Sequence, residues 1–131
     1  MNKMHHIGII MPTKKQASVF IQQFGYKEDY REFVPAYHAD CIFLKNFNND
    51  TPIELIIPHN DILGKFNNGK GGIHHIAYEV KDINQTRTEY INKGIQLLEG
   101  EAVKGAGNIL VNFIHPHDAC GILVEFVQIM Q

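Results

Sequence analysis

An internal repeat with a period of about 70 residues constrains this chain more than any other feature. His6 lies in HHIGI and His75 in HHIAY, 69 positions apart. Glu54 lies in IELII and Glu125 in VEFVQ, 71 positions apart. After each histidine comes an apolar stretch, then a polar residue, Thr13 in the first half and Asp82, which reads as a helix N-cap, in the second. Apolar residues then recur at helical spacing in the first half, Ala17, Phe20, Ile21 and Phe24, and Ile83, Arg87, Tyr90 and Ile91 follow at helical spacing in the second. Both segments stop at a glycine, Gly25 and Gly94, each 19 residues past its histidine. Glycine just beyond a helix end is the expected terminator, because it adopts the left-handed conformation at little cost.

The remainder of each half predicts strands. Cys41–Leu44 and Ile53–Ile57 are short and apolar, with the turn cluster Asn48-Asn49-Asp50 between them. Ile109–Ile114 and Ile122–Val127 match them in the second half, joined through His115-Pro116-His117-Asp118 and Gly121. The expected fold is therefore α+β: two βαβββ repeats, about 1–58 and 73–131, forming a curved, cup-like mixed sheet in a single domain spanning 1–131. Pro58 to Gly72 reads as the linker, with Ile62, Leu63 and Phe66 able to form one apolar helical turn.

Strand alternation places His6 with Gly8, His75 with Ala77 and Glu79, Glu54 with Ile56, and Glu125 with Leu123 and Val127. A carboxylate among apolar strand neighbours is costly to bury unless it is paired or binds a cation. A lone strand histidine is usually structural. Two histidines and two such glutamates related by a repeat point instead to one central divalent ion held by His6, Glu54, His75 and Glu125. Nitrogen and oxygen donors admit cobalt, nickel, manganese, zinc or iron.

Other polar residues carry plainer expectations. His5 and His74 should face away from the ligands, in structural roles. His115 and His117 sit in a turn, where a local backbone hydrogen bond accounts for them. Asn112 shares a face with Leu110 and Ile114 and is expected to line the cup. Glu79 reads as a solvated strand end. Lys65, Lys70 and Lys104 read as surface charges near glycine-rich stretches, open to an anionic substrate. Cys41 and Cys120 have no metal or redox spacing and are expected to be free thiols, Cys41 as a small core residue.

A net charge of −2 gives no sign of a nucleic-acid partner. No apolar run reaches the roughly 20 residues of a membrane span. MNKMHHIGII lacks a signal-peptide cleavage region, so a cytoplasmic protein is expected.

The two His–Glu halves resemble the vicinal oxygen chelate superfamily, which includes glyoxalases, bleomycin-resistance proteins and dioxygenases. Within it, GIHHIAYEVKDI, NFIHP and GILVEFVQ look most like the methylmalonyl-CoA epimerases, with the metal-dependent glyoxalase I (lactoylglutathione lyase) enzymes next. The resemblance covers nearly the whole chain. Carried over by position, it implies metal ligands at His6, Glu54, His75 and Glu125, a thioester or thiol-adduct substrate, and a homodimer. Two departures stand out. Where those epimerases carry a catalytic glutamate, on the strand before that of Glu54, this chain has Cys41. The segment from Ser18 to Phe24 also lacks a tyrosine common there.

The implied reaction is metal-dependent proton abstraction next to a carbonyl, with an enolate or enediolate stabilised by the ion. Without a glutamate at Cys41, Glu54 or Glu125 is the expected base. Returning the proton to the opposite face is epimerisation, and returning it to the neighbouring carbon is the lyase outcome. A non-catalytic resistance-type binder and an iron-dependent extradiol dioxygenase are the alternatives. The dioxygenase needs only two histidines and one carboxylate, so Glu54 counts against it.

Overall fold

The computed structural model describes residues 3–59 and 61–131. The chain divides into two compact units: His6–His74, and His75–Gln131 with the start of the first strand. Each is a βαβββ half, so the α+β class matches the expectation from the repeat.

The first half runs β1 (Lys3–Ile10), α1 (Lys14–Gln23), β2 (Glu28–Val34), β3 (Ala39–Leu44) and β4 (Ile53–Pro58). Its strands lie in the order β2-β3-β4-β1, with β1 and β4 parallel and the other two pairs antiparallel. Thr13 caps α1, its hydroxyl accepting the Gln16 N–H at 3.2 Å. Gly25 follows the helix at φ +71°, a conformation that spares only glycine a steric cost. The helix packs over Ile42, Leu44, Leu55 and Ile57, with Ala17 at the contact. Full burial of Ile42 and Leu55 stabilises by about 1.5–3 kcal/mol each. Alternation then turns Cys41, Phe43, Glu54 and Ile56 to the other face.

β2 is the element the hydrophobic pattern conceals. Its sequence, EDYREFV, has no apolar alternation because it is an edge strand, exposed along most of its length. The linker contains a short helical turn, α2 (Asp61–Gly64), which holds Ile62 and Leu63 but not Phe66, and Ile62 is 83% exposed. Phe66 instead meets His74 edge-on, with ring centroids 5.0 Å apart.

The second half runs β5 (Gly72–Glu79), α3 (Ile83–Asn92), β6 (Val103–Lys104), β7 (Ile109–Ile114) and β8 (Val124–Ile129). The order β5-β8-β7-β6 reproduces the first half, again with one parallel pair, β5 with β8. Asp82 caps α3 through the Gln85 N–H at 3.0 Å, and Gly94 closes it at φ +81°. Ile83, Ile114 and Phe126 form the core beneath α3. β8 starts two residues later than the sequence pattern implies. Ile122 and Leu123 precede the strand, Ile122 half exposed, while the Leu123 carbonyl accepts the Ile76 N–H of β5 at 3.1 Å. No helix among the described residues is long and apolar enough to cross a membrane.

Candidate functional site

In the first half, β1 and β4 run side by side with Gly8 opposite Glu54. His6, two residues before Gly8, shares its face, and a glycine beside the carboxylate leaves that face open. His6 Nε2 lies 3.3 Å from Glu54 Oε1, and both residues are buried. Phe43, directly across from Glu54 on β3, meets the His6 ring edge-on at 5.2 Å and 85°. This arrangement suits the ring quadrupoles and fixes the plane of the imidazole.

The second half repeats the arrangement. Ala77 stands opposite Glu125 and His75 lies two residues earlier. His75 Nε2 is 3.4 Å from Glu125 Oε1, again with both groups buried. Phe113, across from Glu125 on β7, meets His75 edge-on at 5.1 Å and 90°. The repeat therefore includes a third member beyond histidine and glutamate: Phe43 and Phe113, 70 residues apart. The same periodicity that marks the histidines and glutamates marks these phenylalanines.

The pair distances bear on metal binding. Charge-assisted N–H···O⁻ hydrogen bonds cluster near about 2.7–2.9 Å. Separations of 3.3 and 3.4 Å are longer than that. Two neighbouring ligands of one ion, each about 2.1 Å from it, sit about 3.0 Å apart in octahedral geometry and about 3.4 Å apart in tetrahedral geometry. Each half thus offers a buried nitrogen–oxygen pair with the chemistry and spacing of two donors to a divalent cation.

Cys41 is buried and reduced, and on the Glu54 face, directly across from Ile56. A thiol therefore faces the site. On that same face stands Tyr30 of β2, opposite Phe43 and stacked on it at 5.1 Å. Burial pushes its phenol up to about 12, helped by the negative charges of Glu54, Asp29, Glu32 and Cys41. Tyr30 escapes sequence reasoning because its strand carries no periodic signal.

Asn112 corrects an expectation. It does share a face with Leu110 and Ile114, but that face packs under α3, whereas Glu125 lies with Phe113 on the other. Asn112 does not line the site. It accepts a hydrogen bond from Arg87 Nη1 and donates one to Glu99 Oε1, which also accepts the Phe113 N–H at 2.7 Å. The turn histidines behave as expected: His115 Nδ1 accepts the His117 N–H at 3.3 Å. Lys104 hydrogen-bonds the carbonyls of Gly105 and Gly107 at 3.2 and 3.1 Å. Cys120 is an exposed free thiol.

Comparison with known proteins adds to this geometry. The family model of the Glyoxalase/Bleomycin resistance protein/Dioxygenase superfamily matches residues 5–113. The chain is 34% identical to the ethylmalonyl-CoA/methylmalonyl-CoA epimerase of Cereibacter sphaeroides, over 97% of this chain and 98% of that protein. It is 32% identical to the human mitochondrial methylmalonyl-CoA epimerase, over 98% of this chain and 74% of that one. Among solved structures, the methylmalonyl-CoA epimerase of Mycobacterium tuberculosis superposes with a TM-score of 0.89 at 25% identity, covering 98% of this chain and 88% of that one. A hypothetical protein from Bacillus halodurans superposes at 0.85 with 31% identity, covering 99% and 96%.

Proposed function

The chain belongs to the Glyoxalase/Bleomycin resistance protein/Dioxygenase superfamily, and on that premise we propose that it is an enzyme that epimerises a methylmalonyl-type CoA thioester at the carbon beside its carbonyl. The observation that carries this reading is its near-full-length similarity to epimerases of ethylmalonyl-CoA and methylmalonyl-CoA.

The donor chemistry supports it. In this reading His6, Glu54, His75 and Glu125 hold one divalent cation, one pair from each half. When bound, the cation supplies Lewis-acid stabilisation of negative charge on the thioester oxygen. His6 and His75 must be neutral at Nε2 to serve, and the edge-on phenylalanines keep those nitrogens aimed beside the carboxylates. Glu54 or Glu125 takes the proton from the carbon next to the carbonyl. A carboxylate in reach of that carbon is a competent general base, and the buried setting limits competition from water.

The test is solvent-deuterium exchange on racemic methylmalonyl-CoA with metal-loaded protein. Deuterium at the carbon between the two carbonyls, with interconversion of epimers, is the expected result. No exchange would remove the epimerase reading. Turnover of the hemithioacetal of methylglyoxal and a thiol in its place would assign the chain to the lyase reaction.

A further inference from the structure

Strand β2 pairs with β3 and with no other described strand, so its outer edge faces outward as a template for a further strand. Charged side chains on such an edge normally deter pairing. Here their order matters. Lys27 and Glu28 lie on one side of Tyr30, and Arg31 and Glu32 mirror them in opposite sign on the other. The register with β3 fixes the faces. Glu28 stands opposite Leu44 and Arg31 opposite Ile42, so both point to the face on which α1 packs. Their side chains meet there at 2.7 Å and are 38% and 44% exposed. Tyr30, opposite Phe43, and Glu32, opposite Cys41, take the other face. The register shifts between Glu28 and Tyr30, which makes Asp29 the extra residue of a bulge. Glu28 and Tyr30 therefore count as neighbours along the ladder.

We propose that β2 is a self-complementary interaction surface, through which two copies of this chain pair edge to edge in one antiparallel register. With Asp29 set aside, a twofold axis at Tyr30 puts Glu28 opposite Arg31 of the second copy and Lys27 opposite its Glu32, each twice. Tyr26 falls opposite Phe33, which is 43% exposed. The members of each pair lie on one face, as directly opposed residues of an antiparallel ladder do. Sliding by two residues either way, the smallest shift that keeps the faces, puts Glu28 on Glu28 or Arg31 on Arg31 at the axis. Like charges directly opposite are destabilising, so the charge order selects the Tyr30 register and rejects its neighbours. A single strand pair is a small contact, below the roughly 1,200 Å² of standard stable interfaces, so the association is reversible and depends on concentration. Its charged pairs are exposed, so salt weakens it.

The experiment is sedimentation velocity across roughly 10 μM to 1 mM protein at low salt. Reducing conditions keep the exposed Cys120 thiol from cross-linking copies. Wild-type protein should gain mass as concentration rises. Arg31→Glu and Glu28→Arg should each weaken association about tenfold or more, because two attractive cross-strand pairs become repulsive. Thermal melting checks that both variants fold, and an exposed pair puts folding at little risk. Mixed in equal amounts, the two variants should associate as the wild type does, because every cross-strand pair in the mixed dimer is again of opposite sign. Loss of the Glu28–Arg31 contact within each chain cannot produce that rescue. A wild-type mass that stays constant with concentration would overturn the proposal. So would association equal within about threefold in the wild type and both variants, or a mixture that associates no better than its components.

Discussion

Replacing Asn112 by alanine should cost stability without touching chemistry. Asn112 is fully buried and bridges two charged side chains, accepting from Arg87 and donating to Glu99. Hydrogen bonds to charged groups contribute about 1.5–3 kcal/mol each. The lower end applies, because Arg87 keeps the carbonyls of Glu99 and Gly100, and Glu99 keeps the Phe113 N–H. Two lost bonds then amount to about 3 kcal/mol. For 131 residues, an unfolding entropy of about 2.1 cal/mol/K per residue converts this to a fall in Tm of roughly 10 °C. Thermal melting followed by circular dichroism measures it, and a double-mutant cycle with Arg87→Ala should return a coupling of about 1.5 kcal/mol. Well below the melting temperature, metal affinity and exchange rate should match the wild type, because Asn112 faces α3 rather than Glu125. A fall of less than about 3 °C in Tm would refute the bonding account. A loss of metal affinity in the folded variant would instead place Asn112 at the site.

Three further outcomes follow from the same geometry. If the two His–Glu pairs share one ion, calorimetric titration with cobalt or zinc should give one equivalent per chain, and His6→Ala or His75→Ala alone should abolish tight binding; half-stoichiometric retention in either variant would mean separate sites. Phe43→Leu removes an edge-on contact worth about 0.5–1.5 kcal/mol, so metal affinity should fall about two- to tenfold, with Phe113→Leu behaving alike. Tyr30, with its pKa raised from 10.0 to about 12, contributes stability that is whole below about pH 10 and lost as pH rises toward about 12. Denaturant midpoints of Tyr30→Phe should therefore decline less than those of the wild type across that window, and an equal decline would show that Tyr30 is not the residue held protonated.

The repeat made the two histidine–glutamate pairs, the helices with their glycine stops, and the α+β class legible in the linear sequence. Those signals are local: capping, helical spacing and the cost of a carboxylate among apolar neighbours act within a few residues. Phe43 and Phe113 were equally periodic, but a phenylalanine in an apolar strand looks like any other core residue. Only tertiary pairing puts each one across from a glutamate and edge-on to a histidine. β2 escaped pattern reading because an edge strand needs no buried face, so Tyr30 and Glu32 became visible only through their register with Phe43 and Cys41. Asn112 shows the same limit from the other side. Alternation fixed its companions, Leu110 and Ile114, correctly, but which face of a sheet meets a helix and which meets the site is decided by packing, not by any one strand.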